Sequence, residues 1–101
     1  TPEDILLKKE LDDMATKNPN FSVTYKVDRP DASWNGAVGY FSAADVDTLL
    51  PPPCDSSLVL VCGPPPMMKA ISGDKLPDKS QGPVEGLLAA KGYSPDMVYK
   101  F

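Results

Sequence analysis

The sequence has no histidine, only two cysteines and no long apolar run. It therefore lacks the commonest zinc ligand and the commonest acid/base catalyst, and Cys54 and Cys62 do not have the paired spacing of a zinc site. We expect no metal centre. The apolar runs are too short to cross a membrane and none has the form of a signal peptide. We therefore expect no membrane segment in this chain, so that any anchor would lie outside it.

Positive charge is also scarce. Ten Lys and Arg residues stand against 14 Asp and Glu residues, which gives a net charge of -4. No basic stripe is available to replace the counterions of a phosphate backbone, so nucleic-acid binding is excluded. With 101 residues, the chain can form one domain with a modest core but is short for a complete α/β enzyme. We expect a single site at most.

The most informative segment is the apolar run 58–61, which leads directly into Cys62-Gly63-Pro64-Pro65-Pro66-Met67. The run is short and rich in aliphatic residues, which predicts a parallel strand covered on both faces. Cys62 would then lie at its carboxyl tip, where open α/β sheets bind ligands. Glycine lets another molecule approach the backbone closely, and the prolines end the strand. A disulfide with Cys54 stays an alternative, although a buried strand favours reduced thiols.

The remaining pattern alternates helices with strands. The first helix has a Thr1 cap, runs to about Lys17 and carries an apolar stripe at Leu7, Leu11 and Met14. An alternating strand follows and points Asp28 at its tip. The further predictions are a loop over 29–39, a helix from the Ser42 and Asp45 cap pair to Leu50, a helix over 66–71 whose N-terminus faces the crevice at Cys62, an exposed loop over 72–83, a helix over 84–91 capped by Gly92, and a strand over 97–101.

This order predicts an α/β fold with a mostly parallel sheet and right-handed crossovers. Three strands are few for such a sheet, because parallel strands need cover on both faces. We therefore interpret the chain as part of a larger doubly wound unit that lacks its first strands.

Several segments, in this order and spacing, resemble the NADH-cytochrome b5 reductase family over essentially the whole chain. They are Asp4-Ile5-Leu6-Leu7, Val27-Asp28-Arg29-Pro30, Trp34, Gly39-Tyr40, Leu49-Leu50-Pro51 and the run from Cys62 to Met67. The resemblance implies a ferredoxin-reductase-type nicotinamide-binding domain, of which residues 1–101 would be the C-terminal portion. The tail, through Gly92-Tyr93 to Val98-Tyr99-Lys100-Phe101, is most similar to the fungal mitochondrial form.

By this resemblance, the parent enzyme passes a hydride from NADH to FAD and then electrons one at a time to cytochrome b5 or a similar haem protein. The protein orients the cofactors that carry out the chemistry. Cys62 would lie beside the nicotinamide, and Gly63, Pro64 and Pro65 would permit its close approach, with Met67 behind the pocket. Asp28 would accept hydrogen bonds from the adenosine ribose and repel a 2'-phosphate, which favours NADH over NADPH. Tyr40 would lie near the adenine.

Two family features are absent from these residues: the flavin-binding barrel with its Arg-x-Tyr-Ser/Thr signature, and the Gly-Gly-Thr-Gly phosphate turn. Without the FAD domain, this chain alone should be catalytically inactive. The resemblance also implies a mitochondrial location, in the outer membrane or the intermembrane space, that the chain itself does not encode.

Two other functions remain open. One is the reductase part of a related flavoprotein such as nitrate reductase, which shares the Cys-Gly-Pro-Pro-Pro type of motif. The other is a non-enzymatic binding domain that uses its proline tracts, Pro51-Pro52-Pro53 and Pro64-Pro65-Pro66, as docking ligands. These tracts lack the flanking basic residues of typical polyproline ligands. Single residues also have simpler explanations, since Cys62 could be a small buried hydrophobe, Asp28 a loop cap, and Trp34 a loop anchor.

Overall fold

Short parallel strand pairs and short helices make up this α/β chain, and the computed structural model describes all 101 residues. The helices are α1 (Lys8–Lys17), α2 (Ala43–Leu49), α3 (Pro65–Ile71) and α4 (Gly86–Lys91). The strands are β1 (Lys26–Val27), β2 (Ala37–Val38), β3 (Val59–Val61) and β4 (Val98–Lys100). Single 3-10 turns cover Pro2–Asp4 and Pro95–Met97. The chain divides into two compact units, residues 1–41 and 42–101.

The N-terminal helix is shorter than the sequence predicts. The Thr1 and Asp4 cap is present, since the Thr1 hydroxyl donates to the Asp4 carboxylate at 2.6 Å, but it closes only a 3-10 turn. Ile5 is then extended and Leu7 is left-handed, with φ 56°, so α1 begins at Lys8. The predicted buried stripe is also wrong, because α1 buries none of its residues and Leu7 is 67% exposed. Without a buried face, nothing stabilises the missing turns.

The alternating segment after α1 forms only two residues of strand. In the first unit β1 pairs in parallel with β2, which lies inside the predicted loop and is itself only two residues long. A partner this short leaves residues 21–25 without a ladder. Tyr25 is instead attached to α1, where its hydroxyl donates to the Asp12 carboxylate at 2.8 Å and its ring lies under the Lys8 ammonium. Partial removal from water, together with the Asp12 carboxylate, raises the pKa of Tyr25 to about 12.

In the second unit, the predicted start and end of α2 and the predicted end of α4 are confirmed, whereas α4 starts at Gly86 rather than at residue 84. The Ser42 N–H donates to the Asp45 carboxylate at 2.8 Å, and the Ser42 hydroxyl accepts from the Asp45 N–H, which caps α2. Gly92 ends α4 in the left-handed conformation, with φ 103°. The buried apolar residues of this unit come from both strands, from three helices and from Tyr93 just after α4: Val46, Val61, Met68, Ile71, Leu88, Tyr93 and Val98.

Strand β3 pairs in parallel with β4 in a two-stranded sheet, with Val61 opposite Lys100, so the parallel pairing expected here is confirmed. The expected cover on both faces is not. Val61 and Val98 are buried, whereas Leu60 is 60% exposed and Tyr99 is 46% exposed. Side chains alternate across a strand, so one face of this sheet joins the core and the other presents apolar groups. We call that second set, Leu58, Leu60, Tyr99 and Phe101, the open face.

The open face should make the isolated 101-residue chain self-associate, because burying two large apolar side chains contributes several kcal/mol in total, about 1.5–3 kcal/mol each. The double change Leu60→Thr and Tyr99→Thr keeps β-branched residues in the strands. We expect it to weaken self-association at least about tenfold in sedimentation equilibrium. Leu6→Thr with Leu7→Thr, which removes two exposed leucines elsewhere, is the control. Equal weakening in both pairs would contradict a specific role for the open face.

Candidate functional site

The first candidate site is the carboxyl tip of β3, where Cys62 follows directly after Val61. The tip is held by β4, since the Phe101 N–H donates to the Val61 carbonyl at 3.0 Å. Cys62 is exposed and its thiol is free, as is that of Cys54. The predicted position of Cys62 at a strand tip is therefore confirmed, but it is not a buried hydrophobe.

Helix α3 begins at this tip in a way that the prolines determine. Pro64 is its N-cap and Pro65 its first residue, a position that suits proline because no helical partner is available for an N–H there. The Met68 N–H donates to the Pro64 carbonyl at 3.0 Å. From Pro64 to Met67, only Met67 has a backbone N–H at all. The start of α3 therefore lacks most of the donors by which helix N-termini bind phosphate.

Gly63 and Met67 complete the surface of the tip. A Cβ atom built on Gly63 would lie 2.5 Å from the Met67 Sδ, so the thioether occupies the space that any larger residue would need. Met67 is 40% exposed, while Met68 on the same helix is buried in the core. The tip thus presents a thiol, glycine backbone, proline rings and a thioether: a soft surface poor in hydrogen-bond donors.

The second candidate site lies in the first unit. Asp28 is the first residue after β1, and Tyr40 is the second residue after β2. Because β1 and β2 are parallel, their carboxyl ends lie at one edge, and the Gly39 N–H donates to the Val27 carbonyl at 2.9 Å. Gly39 has φ 107°, a conformation that favours glycine. Asp28 and Tyr40 are both exposed, Tyr40 by 83%. The structure thus brings Asp28 and Tyr40 to one edge in the first unit, and Cys62, Gly63, Pro64, Pro65 and Met67 to one tip in the second.

Strand β2 is the element that the sequence patterns missed, and it is what places Tyr40 beside Asp28. Its only signal is an apolar pair between Gly36 and Gly39, too short to show a period of two. Trp34 is a loop anchor, as expected, since its indole N–H donates to the Ala37 carbonyl at 3.0 Å. In the same loop the Ser33 hydroxyl and N–H donate to Asp31, and these bonds lower the pKa of the Asp31 carboxyl.

Both proline tracts are built into the second unit. Pro64 and Pro65 start α3, the Pro51 carbonyl accepts a hydrogen bond from the Tyr93 hydroxyl, and the Pro52 carbonyl accepts one from the Ser57 hydroxyl at 3.0 Å. Domains that bind proline-rich ligands require a segment in the extended polyproline II conformation with its surface free for the partner. These intramolecular roles weigh against the tracts as docking ligands.

The remaining chemistry of the chain is limited. Hydrogen bonds with the hydroxyls of Ser56 and Ser57, at 3.2 and 3.1 Å, lower the pKa of the exposed Cys54 thiol.

No three side chains of the His, Cys, Asp and Glu types lie close enough together to hold a metal ion. None of the helices has both the length and the apolar character needed to span a membrane.

The glycine at the tip should tolerate a methyl group better than the glycine that starts α4. Gly63→Ala meets only the Met67 thioether, which can swing into solvent, so we expect a loss below about 1 kcal/mol. Gly86→Ala places its Cβ 2.3 Å from the Ala70 carbonyl oxygen and has φ 65°, so we expect a loss of about 2–3 kcal/mol. Urea unfolding of both variants beside the wild type measures the difference. Equal losses would show that Met67 is not free to move.

Comparison with known proteins identifies the family. The model of the oxidoreductase NAD-binding domain matches residues 1–73. An NADH-cytochrome b5 reductase-like protein of Arabidopsis thaliana is 50% identical over the whole chain, which covers 31% of that protein.

Fungal relatives are similar to a comparable degree. NADH-cytochrome b5 reductase 2 of Scheffersomyces stipitis is 46% identical, with 100% of this chain and 34% of the relative covered. The protein of that name from Aspergillus clavatus is 48% identical, with 98% and 31% covered. The chain thus spans about a third of the length of these curated relatives, and the resemblance to NADH-cytochrome b5 reductases is confirmed. This chain belongs to the oxidoreductase NAD-binding domain family.

Proposed function

We propose that this chain is the NADH-binding portion of a flavoprotein reductase that transfers a hydride from NADH to FAD and then electrons to cytochrome b5 or a similar haem protein. The observation that carries the proposal is the tip of β3, where Cys62, Gly63 and Met67 form one soft surface at the carboxyl edge of a parallel sheet. Membership of the NAD-binding family and the names of the relatives support it. The 101 residues alone would be inactive.

The chemistry of the tip suits a nicotinamide ring better than a phosphate. A flat, largely apolar ring can pack on a thiol, a glycine backbone and a thioether, and it needs no row of N–H donors. Pro64, Pro65 and Pro66 remove those donors from the start of α3. Cys62 would then set the position of the hydride-bearing carbon, with Pro64 and Pro65 forming the rigid wall of the pocket.

Asp28 and Tyr40 would bind the adenosine half of NADH at the edge of the β1 and β2 pair. A carboxylate there can accept a hydrogen bond from the 2'-hydroxyl of a ribose and would repel a 2'-phosphate. The exposed ring of Tyr40 offers a face on which adenine can stack. Parallel strands carry both candidate sites at their carboxyl ends, as ligand sites in doubly wound sheets do.

We further propose that this chain is part of a mostly parallel, doubly wound fold of the ferredoxin-reductase type. The open face of β3 and β4 supports this, because parallel strands in such folds are covered on both sides. FAD, when bound, accepts the hydride and passes electrons on singly. The Arg-x-Tyr-Ser/Thr signature that would hold FAD does not occur in these residues, so its binding site would belong to another domain.

We place the parent protein in mitochondria, at the outer membrane or in the intermembrane space. Support comes only from the similarity of the tail to the fungal mitochondrial form. No observation favours the reductase part of nitrate reductase over this function.

Asp28 should decide between the two nicotinamide cofactors. In the full-length flavoprotein, Asp28→Ala removes the carboxylate that would repel a 2'-phosphate, so kcat/KM for NADPH relative to NADH should rise about tenfold. The matched control is Asp31→Ala, which removes a carboxylate that Ser33 already engages in the same loop. An unchanged ratio in Asp28→Ala, or an equal rise in both variants, would remove Asp28 from the ribose site.

Cys62 should position the ring without reacting with it, because no basic side chain is engaged with its thiol to activate it. In the full-length enzyme, Cys62→Ser should slow flavin reduction by NADH roughly tenfold to a hundredfold, about 1.4–2.7 kcal/mol of barrier, with FAD still bound. Cys62→Ala should behave similarly, while Cys54→Ser should retain the wild-type rate. Stopped-flow absorbance isolates this step from electron delivery.

NAD should also slow alkylation of Cys62 but not of Cys54. Wild-type reduction rates in both Cys62 variants would reject the positioning role. Complete loss of reduction with FAD retained would indicate covalent or proton-transfer chemistry instead.

A further inference from the structure

Lys100 is a buried cation whose partners are all backbone carbonyls. The residue is 1% exposed, and its ammonium donates to the carbonyls of Pro83 at 2.7 Å, Gln81 at 2.9 Å and Asp74 at 3.2 Å. A lysine ammonium has three N–H donors, so its hydrogen-bonding capacity is fully used. The cation therefore ties segment 74–83, part of the loop over 72–83 that the sequence predicts to be exposed, to the last strand.

Gln81 adds a second connection at the same place. Its side-chain amide donates to the Lys100 carbonyl at 2.9 Å and accepts from the Lys100 N–H at 2.8 Å. A neighbouring β-strand would make the same pair of bonds. The Phe101 N–H is directed at β3, so the Lys100 backbone groups lie on the opposite edge of β4. We call the five hydrogen bonds between Lys100 and residues 74, 81 and 83 the bracket.

The bracket is connected to the tip of β3 by two routes. The first runs through β4, since Lys100 lies opposite Val61, the residue before Cys62. The second runs through α3, which starts at the tip and ends at Ile71. The next residue, Ser72, is fully buried, and its carbonyl accepts from the Glu85 N–H at 2.8 Å. Segment 74–83 then returns from the end of α3 to Lys100. The tip, α3, segment 74–83 and β4 therefore form a closed circuit of connected elements.

We propose that Lys100 and Gln81 are positioning residues for the nicotinamide of NADH. Their bracket closes the circuit of tip, α3, segment 74–83 and β4, and this circuit fixes Cys62, Gly63 and Met67. The inference rests on the proposed function. Neither residue is catalytic. The Lys100 ammonium is buried among carbonyls and cannot touch a substrate, and the Gln81 amide is bonded to the Lys100 backbone. Hydride transfer is sensitive to geometry, and a displacement of about 1 Å can cost on the order of a hundredfold in rate.

The variant Lys100→Met tests this in the full-length flavoprotein. Methionine retains the apolar stem but leaves three carbonyls without their donor, so only the two Gln81 bonds to the backbone of residue 100 would still hold segment 74–83 to β4. We expect the limiting rate of flavin reduction at saturating NADH to fall about tenfold, and the apparent dissociation constant for NADH to rise severalfold. Gln81→Met, which removes only two hydrogen bonds, should show the same changes to a smaller extent. Oxidation of the pre-reduced flavin by ferricyanide should be unchanged.

The matched control is Lys91→Met, which removes a lysine with a single exposed partner, Asp47 at 2.8 Å. It should leave both kinetic parameters at wild-type values. Amide hydrogen exchange gives an independent measure of the tip, because the Phe101 N–H bonded to Val61 should exchange faster in the bracket variants and not in the control.

Each outcome either supports or overturns the proposal that the bracket positions the nicotinamide. A lower melting temperature of Lys100→Met or Gln81→Met with both kinetic parameters unchanged would make the bracket purely structural and overturn the proposal. Exchange at Phe101 that is equally slow in all variants would overturn it too. Failure of NADH to reduce the wild-type flavin would overturn the proposed function itself, and the exchange data would then still decide whether the bracket fixes the tip.

Discussion

The parallel pairing of β3 with β4 is the constraint on which the second unit depends. Parallel strands end at the same edge, so the register of Val61 with Lys100 sets Cys62 directly beyond the last paired residues. The same pairing divides the side chains of both strands between the core and the open face. The pairing of β1 with β2 has the same effect in the first unit, where it places Asp28 and Tyr40 at one edge.

Proline gives the tip of β3 its chemical character. In many α/β proteins the turn after a strand binds phosphate through the N–H groups of the following helix. Here the first two helical residues are prolines, so that function is lost while the helix start itself is stabilised. A glycine and a methionine fill the remaining surface. Such a surface suits a flat ring better than an anion, which agrees with the nicotinamide site proposed above.

Local chemistry made part of this structure predictable from the sequence. The Ser42 and Asp45 capping box, the Gly92 cap and the proline start of α3 each depend on residues a few positions apart, and each was found at or within one residue of its expected position. Long-range partners were not predictable. The two-residue strand β2 has no pattern of its own, and the exposure of Leu60 depends on what packs against the sheet.

Lys100 is the clearest example of this limit. A lysine at the end of a strand is normally predicted to be solvated. The burial of Lys100 depends instead on carbonyls that lie 17 to 26 positions earlier in the chain. The positions of Asp28 and Cys62 at strand tips needed only the strand ends, whereas the arrangement that holds the tip of β3 needed the three-dimensional path of segment 74–83.

The three consecutive prolines also determine how this site can be observed. Proline has no amide proton, so residues 64–66 give no peaks in an amide-detected NMR spectrum, and the wall of the proposed ring pocket is invisible to that method. Met67 is 40% exposed and its side chain lies against Gly63, so its methyl group is a suitable reporter in their place. Methyl labelling of the four methionines would place one probe at the tip and another, Met68, in the core one residue away, so that events at the site could be separated from motions of the whole domain.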